Sequence, residues 1–354
     1  MKKRNYIKKS MLLLLIIILL ISYSINSNNK NLIHNVGYEE LINIGIVFTK
    51  GGLGDKSFND LCYDGMLRAQ EEFGIDFDYA EPNTSLDYEK TLRELALSNE
   101  YDLIISVGAY QENTLLKISN EFKNQKFTII DAKINADNVS SIYTKWNEQT
   151  FLSGVMAGLL VKENYNNNTA GVILGEDTKP LREGALGFEA GFRYINPDKD
   201  VFTVTINNFF DPAKAKEAAL LMYSKGAEYI QHLSGASGLG VFSAANEVDK
   251  YAFGVDGNEN YFEPDNIVAT STRYSNILIY NEIKDIVHDT WKSGLKEYGL
   301  KENVIGYTRI GSNVEIDKDI IKKVESIKQD IIDKNLIIPS NKEELNRFLE
   351  NNKF

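Results

Sequence analysis

The segment INIGIVFTKGGLGDKSFN, residues 42–59, contains the two features that decide the fold. Its first part, Ile42–Phe48, is almost continuously apolar, which is typical of a strand covered on both faces of a sheet. Its second part, Gly51–Asn59, has glycines followed by polar residues and one aromatic residue, and it precedes a helical pattern. A buried strand that leads through a glycine-rich turn into a helix predicts an α/β protein with a parallel sheet.

The same alternation of strands and helices continues along the chain to about residue 333. The apolar runs predict eleven strands: Ile42–Phe48, Ile75–Ala80, Leu103–Val107, Phe127–Ile130, Ser140–Tyr143, Ala170–Leu174, Val201–Ile206, Tyr229–Leu233, Ala252–Val255, Ile267–Thr270 and Val304–Tyr307. The amphipathic segments predict helices: Phe58–Phe73, Leu86–Ser98, Glu112–Phe122, Gln149–Val161, Arg182–Tyr194, Pro212–Ser224, Leu239–Glu247, Ser275–Gly294 and Lys318–Asp333. Because so many strands exceed one ordinary twisted sheet, we expect two sheets of about five or six strands.

The charge balance limits the classes of partner. The 354 residues include 50 acidic and 39 basic ones, and five of the basic residues lie within the first nine positions. Without those five, 34 basic against 50 acidic residues leave a net charge of −16. A body this acidic repels a phosphate backbone or an anionic lipid surface, which excludes a nucleic acid polymer as the main partner.

The first 40 residues have the composition of an export leader and a tether. Residues 2–9 are basic and Met11–Ile21 is an apolar run of signal-peptide length, so residues 1–25 are expected to be a signal peptide or a retained N-terminal anchor. Leu20-Ile21-Ser22 fits the start of a bacterial lipoprotein box, but Tyr23 stands where a cysteine would be lipidated. We therefore expect an exported protein that is not lipidated at Tyr23, with residues 26–40 as a polar tether.

Polar, glycine and aromatic residues follow six of the predicted strands. Because ligands of open α/β sheets bind beyond the carboxyl ends of the strands, these residues are the candidate site. They comprise the Gly51–Asn59 loop with Asp55, Phe58 and Asn59; Asp131; the segment 207–211 with Phe209; the loop beginning at Ser234 and Gly235; Asp256; and Arg273.

Each of these residues also has a purely structural interpretation. The glycines of the first loop can serve a turn, and Asp55 or Asn59 can cap a helix. Phe209 and Phe210 are adjacent, so at least one is expected in the core. His232 and His288 lie inside a strand and a helix pattern, and the single cysteine, Cys62, is expected to be a buried apolar residue. No triad, metal cluster or cofactor motif accompanies the glycines, so we expect neither an enzyme nor a cofactor.

Several ordered motifs resemble the basic membrane protein family, whose members are solute-binding proteins of ABC importers known as purine nucleoside receptors. The resemblance extends from about Ile42 to Pro339. Its motifs are GDKSFN at 54–59, TFLSGVMAG at 150–158, GFEAGF at 187–192, FDPAKAKEAA at 210–219, GASGLGVF at 235–242 and GVD at 254–256.

The resemblance implies a type I periplasmic binding-protein fold, in which two doubly wound lobes are joined by three hinge crossings and the ligand lies between them. Residues 41–143 with 268–300 are expected to form the first lobe, residues 144–267 with 301–340 the second, and residues 341–354 a C-terminal tail. The implied partners are a purine nucleoside (adenosine, guanosine or inosine) and the permease and ATPase subunits of the importer.

The resemblance also implies a role for each candidate residue. Phe58 and Phe209 would stack on the purine, while Asp131 and Asn59, with Asp55 beside them, would contact the edge of the base. Asp256 and Arg273 would hold the ribose hydroxyls, and the backbone at Ser234 and Gly235 would add amide contacts. Arg273 departs from the family pattern, which has lysine at this position.

Three other functions stay open at this point. One is a surface protein that binds host matrix, because the missing cysteine at Tyr23 and the altered cleft loops suit a copy that no longer serves transport. Another is an α/β enzyme that uses the same crevice. The third is a sensor that an uncleaved leader anchors in the membrane.

Overall fold

The computed structural model describes residues 41–163, 169–352 and 354. The predictions for residues 1–25 and 26–40, including Tyr23, lie outside the described residues. The described strands are Asn43–Val47 (β1), Asp76–Ala80 (β2), Leu103–Val107 (β3), Phe127–Ile130 (β4), Val139–Thr144 (β5), Thr169–Leu174 (β6), Val201–Thr205 (β7), Ala227–Leu233 (β8), Tyr251–Asp256 (β9), Ile267–Arg273 (β10), Gly294–Tyr298 (β11) and Ile305–Thr308 (β12). The described α-helices are Phe58–Phe73 (α1), Ser85–Ser98 (α2), Glu112–Glu121 (α3), Trp146–Glu163 (α4), Lys179–Ile195 (α5), Pro212–Ser224 (α6), Gly238–Glu247 (α7), Ser275–Val287 (α8), Lys318–Ile332 (α9) and Lys342–Asn351 (α10).

The strands form two six-stranded sheets. The first has the order β11-β5-β4-β3-β1-β2 and the second the order β12-β10-β9-β8-β6-β7. Every pairing is parallel except β10 with β12, which is antiparallel. We call the first sheet with its helices lobe 1 and the second lobe 2. The chain passes from one sheet to the other after β5, after β10 and between β11 and β12, so three crossings join the lobes. The predicted fold class is therefore confirmed.

The structure divides the chain differently from the sequence-based boundaries at three places. Strand β10 pairs with β9 in lobe 2, although residues from 268 onward were assigned to lobe 1. Helix α8 ends at Val287, before the predicted end at Gly294, and residues 294–298 form an edge strand that was not predicted. In this strand, β11, half-buried and exposed residues alternate, so it lacks the continuous apolar run that marks the inner strands. The expected C-terminal tail contains helix α10, whose Leu345 and Phe348 are buried in the core of lobe 2.

Two of the quoted motifs pack helices and do not line a site. Helices α4 and α5 carry the motifs at 150–158 and 187–192, and they approach each other through glycines. A Cβ atom on Gly154 would lie 2.2 Å from the carbonyl oxygen of Phe188, and one on Gly191 would lie 2.1 Å from that of Phe151. Only glycine permits this approach of two backbones, so these glycines set the position of α4 behind the first crossing.

Candidate functional site

The carboxyl ends of both sheets face a cavity between the lobes. About 770 Å³ of non-atom space lies in and in front of it when the open solvent of its mouth is counted. The predicted residues that line it are Asp55, Phe58, Asn59, Asp131, Phe209, Gly235, Asp256 and Arg273. The structure thus brings together eight of the nine predicted residues, from segments more than 200 positions apart in the chain.

The ninth predicted residue, Ser234, lies behind the cavity wall. Its side chain is fully buried, and its hydroxyl lies 3.4 Å from Nδ1 of His232. His232 is itself buried and pairs with Glu259 at 2.7 Å. Gly235 reaches the cavity through its backbone, which has a positive φ of 54°. Only the Gly235 half of the predicted pair is therefore placed to contact a ligand.

Asp55 caps helix α1 from inside the cavity wall. Its carboxylate accepts the backbone N–H groups of Ser57 at 2.9 Å, Asn59 at 2.9 Å and Asp60 at 3.2 Å. Burial raises the pKa of Asp55 to about 6, against the lowering effect of these hydrogen bonds. The structural interpretation of Asp55 as a helix cap is confirmed, and the residue lines the cavity as well.

Asn59 fixes the glycine-rich loop to the end of β1. Its Nδ2 donates to the carbonyl of Gly52 at 2.9 Å, and its Oδ1 accepts the backbone N–H of Thr49 at 3.2 Å. The side chain is 1% exposed. Both ends of the amide therefore hold the loop in place, and each end keeps one hydrogen-bonding position for a ligand.

Two aspartates stand in left-handed backbone conformations where strands end. Asp131 follows β4 with φ of 70°, and Asp256 ends β9 with φ of 63°. Aspartate tolerates this region better than most residues, and non-glycine residues held in it cluster at functional sites. The conformation turns both strand ends toward the interlobe cavity that the two side chains line.

Arg273 joins these two aspartates across the lobes. Its Nε donates to Oδ1 of Asp256 at 2.8 Å, and its Nη1 donates to Oδ2 of Asp131. The guanidinium carbon also lies 4.2 Å from the ring centroid of Phe58 and 4.1 Å from that of Trp146. Burial by itself lowers the pKa of Arg273, but the two carboxylates outweigh it and raise the pKa above its ordinary value. At 1% exposed, this arginine is a fixed positive charge inside the site.

Phenylalanines enter the cavity from both lobes. Phe58 begins helix α1 in lobe 1, and Phe209 follows β7 in lobe 2, where it is half-buried against the core. The adjacent Phe210 is 41% exposed and also lines the cavity. The Phe210 ring lies so close to Gly51 that a Cβ atom there would come within 1.7 Å of it. Gly51 is thus required at a contact between the lobes.

Further polar contacts close the lobes over the cavity. The Ser57 hydroxyl in lobe 1 donates to Oδ2 of Asp256 in lobe 2 at 3.1 Å. Lys50 and Glu176 form an ion pair across the mouth at 3.1 Å. Together with the Arg273 bridge, these contacts show that the structure is a closed arrangement of the two lobes.

Trp146 is the main site residue that the sequence reasoning missed. It begins α4, two positions after the end of β5, and it lines the cavity while 4% exposed. Its Nε1 donates to Oδ1 of Asp131 at 3.2 Å. The rule used for the other strand ends would have found it, had it been applied to the end of β5 as well.

The described residues contain neither a membrane-spanning helix nor a cluster of metal ligands. None of their helices is long and apolar enough to cross a bilayer. Within the same residues, no three His, Cys, Asp or Glu side chains are grouped so as to hold a metal ion.

Two doubly wound lobes, three crossings and a cavity at the carboxyl ends of both sheets are the features of the type I periplasmic binding-protein fold. Comparison with known protein families is more specific. The family model for PnrA-like ABC transporter substrate-binding proteins, Bmp, matches residues 42–342. The chain belongs to this family.

Individual proteins agree with the family model. Basic membrane protein A of Borreliella burgdorferi is 32% identical over 312 residues, covering 85% of this chain and 88% of that protein. An uncharacterized lipoprotein of Pyrococcus abyssi is 30% identical over 280 residues, covering 75% of this chain and 69% of the relative. A crystal structure of an ABC transporter solute-binding protein from Aeropyrum pernix aligns with a TM-score of 0.78 at 26% identity, covering 87% of this chain and 96% of the other.

Proposed function

We propose that this chain is the extracytoplasmic receptor of an ABC importer, that it acts without catalysis, and that its ligand is a purine nucleoside. The observation that carries the proposal is the buried Asp131–Arg273–Asp256 bridge, which lies between the lobes beside Phe58. Flat aromatic surfaces suit a base, while carboxylates and a guanidinium suit its N–H groups and the hydroxyls of a sugar. The roles assigned to Phe58, Phe209, Asp131, Asn59, Asp55, Asp256, Arg273 and the Gly235 backbone follow that division.

The charge of the cavity favours an uncharged ligand. Four carboxylates, those of Asp55, Asp131, Glu176 and Asp256, line it together with the ammonium group of Lys50 and the buried guanidinium of Arg273. At neutral pH this set is net negative, so a phosphate group would meet repulsion in a site of low dielectric constant. A nucleoside has the base and the sugar but no phosphate charge, whereas a nucleotide also carries the charged phosphate.

Calorimetric titration of the purified full-length protein with adenosine, inosine and guanosine tests the proposal. We expect heat and an upward melting shift with at least one nucleoside, and none with the corresponding 5′-monophosphate. Absence of both signals with all three nucleosides at high micromolar concentration would refute the assignment, and it would direct attention to a surface-binding role.

The aromatic contact has its own test. Phe58→Leu keeps apolar bulk but removes the flat face, so nucleoside affinity should fall by roughly 2- to 10-fold, the usual worth of an aromatic pair. Phe122→Leu is the matched control, because Phe122 packs against the core of lobe 1 away from the cavity. Equal affinities in the two variants would exclude stacking on Phe58.

We further propose that the chain is exported and works in the periplasm or at the outer face of the cytoplasmic membrane. The basic residues 2–9 and the apolar run 11–21 support export, and Tyr23 offers no thiol for a lipid. Mass analysis of the N-terminus of the mature protein tests this: a chain beginning near residues 24–27 indicates cleavage, and one beginning near Met1 indicates a retained anchor.

A further inference from the structure

The hydrogen-bonded ladder of the lobe 2 sheet divides at its carboxyl end, where the sheet borders the cavity. Strands β8 and β9 are paired in register as far as Gln231 and Phe253. Beyond that point each strand continues beside its outer neighbour, β8 beside β6 and β9 beside β10. Gly235 follows one half of the divided sheet and Asp256 ends the other, and both line the cavity. A ligand that contacts both residues therefore spans the division.

A buried pair of side chains bridges this division. Nε2 of His232, in β8, lies 2.7 Å from Oε2 of Glu259, in the loop after β9. The same Oε2 accepts the backbone N–H of Val255 at 2.7 Å, in the part of β9 that lies beyond the register with β8. His232 is 0% exposed and Glu259 is 3% exposed, and neither lines the cavity. The pair thus links the two strand ends where their ladder has stopped.

Each member of the pair is fixed to its own half of the sheet. The His232 ring lies edge-on against Phe242 of helix α7, with ring centroids 5.0 Å apart. A Cβ atom on Gly238, which begins α7, would come within 2.2 Å of the same ring. The Glu259 N–H donates to Oγ1 of Thr270, in β10, at 3.1 Å. The link therefore runs from the β8 and α7 side to the β9 and β10 side.

We infer, resting on the proposed nucleoside site, that His232 and Glu259 are positioning residues, which set the separation at which Gly235 and Asp256 contact one ligand. Groups that bind a ligand need such support, because a site that is loose by about 1 Å fails to hold its ligand well. Hydrogen bonds to a buried carboxylate are stronger than those between neutral groups, so one such group can hold both strand ends. It does so without entering the cavity.

Replacing Glu259 tests the inference. Glu259→Ala removes the acceptor for both His232 and Val255, so the two strand ends are free to move apart. Removing the partner that orients a metal ligand costs about 10- to 100-fold in affinity, and nucleoside affinity should fall by a similar factor. Glu259→Gln keeps an oxygen that can accept both hydrogen bonds, so its affinity should stay within about 3-fold of that of the unaltered protein. Calorimetry of the full-length proteins with adenosine, inosine and guanosine at one pH measures these affinities.

Glu282→Ala is the matched control for a general loss of stability. Glu282 is 2% exposed and also accepts two hydrogen bonds, from Thr128 Oγ1 and from Lys296 Nζ, but it does not line the cavity. Urea denaturation should show that both alanine variants are destabilised, whereas only Glu259→Ala should lose nucleoside affinity. Equal losses of affinity in the two variants would overturn the inference, because stability alone would then explain them.

Histidine variants test whether the two residues act as one unit. His232→Leu keeps apolar bulk but cannot donate to Glu259, so it should lower affinity by about the same factor as Glu259→Ala. The two changes combined should lower it no further. His232→Gln keeps a donor and should bind within about 3-fold of the unaltered protein. If Glu259→Ala does not fold, this histidine pair decides the question, and equal affinities of the leucine and glutamine variants would overturn the inference.

The outcomes separate the positioning role from the function. Losses that add in the double variant would show two independent effects and would overturn the inference. Nucleoside binding that none of the variants changes would overturn it as well, while leaving the proposed function in place. Absence of heat with every nucleoside in the unaltered protein would refute the proposed function itself.

Discussion

Replacing Arg273 with methionine is the sharpest test of how the two lobes are held. The substitution keeps an apolar stem but removes the guanidinium that links Asp131 to Asp256. Both carboxylates are nearly buried, at 5% and 4% exposed, so they would be left without their charged partner. Two hydrogen bonds to charged groups are lost, each worth about 1.5–3 kcal/mol.

Breaking a buried ion pair by removing one partner costs about 3–5 kcal/mol, which agrees with the sum of those bonds. We therefore expect the free energy of unfolding to fall by about 4 kcal/mol at pH 7.5. The loss should be smaller at pH 5, because a buried carboxylate without a counter-charge takes up a proton more readily. Destabilisation is thus greatest at high pH and declines as the pH falls.

Urea denaturation at pH 7.5 and pH 5 measures the loss of unfolding free energy in Arg273→Met. Arg309→Met is the matched control, because the hydrogen bonds of Arg309 within the described part of the chain go to the backbone carbonyls of Val268 and Val314. The free energy of unfolding of this control should fall by about 1–2 kcal/mol, and the fall should not change with pH. A loss below 1 kcal/mol for Arg273→Met at pH 7.5, or one that grows toward pH 5, would refute the reasoning.

Two further predictions concern the loop and the helices. Because burial raises the pKa of Asp55 to about 6, its contribution to stability is present at low pH and is lost as the pH rises through about 6. When the pH is lowered from 7.5 to 5, the free energy of unfolding of the unaltered protein should rise by roughly 1 kcal/mol relative to that of Asp55→Asn. If urea denaturation gives the same difference between the two proteins at both pH values, the effect of burial on Asp55 is contradicted. Gly191→Ala should lower stability by about 2 kcal/mol or more, because its Cβ meets the Phe151 carbonyl at 2.1 Å. Gly257→Ala is the control, since its Cβ meets nothing closer than Leu61 at 3.8 Å, and equal thermal melting of the two variants would refute the close-packing argument.

The lobe boundaries illustrate where sequence reasoning fails. The pattern of Ile267–Thr270 predicts a buried strand, but no local feature of the sequence indicates which sheet it joins. Its pairing with β9 depends on the crossing that follows it, after Arg273. Strand β11 was missed for a different reason: it lies at a sheet edge, so only alternate residues are half-buried and the signal for a strand is weak.

The class of fold follows from the amino-acid sequence alone, and so do eight of the 22 residues that line the cavity. Continuous apolar strands alternate with amphipathic helices, and the carboxyl ends of parallel strands must meet at one edge of each sheet. Tertiary structure alone decided how those residues are used. Asp55 and Asn59 hydrogen-bond the backbone in and beside their own loop, Ser234 lies behind the cavity wall, and Arg273 lies between Asp131 and Asp256. The reason is physical: hydrogen bonds and charge pairs form between neighbours in space. Asp256 and Arg273 lie on paired strands of lobe 2, and Asp131 of lobe 1 becomes their neighbour only when the two lobes close.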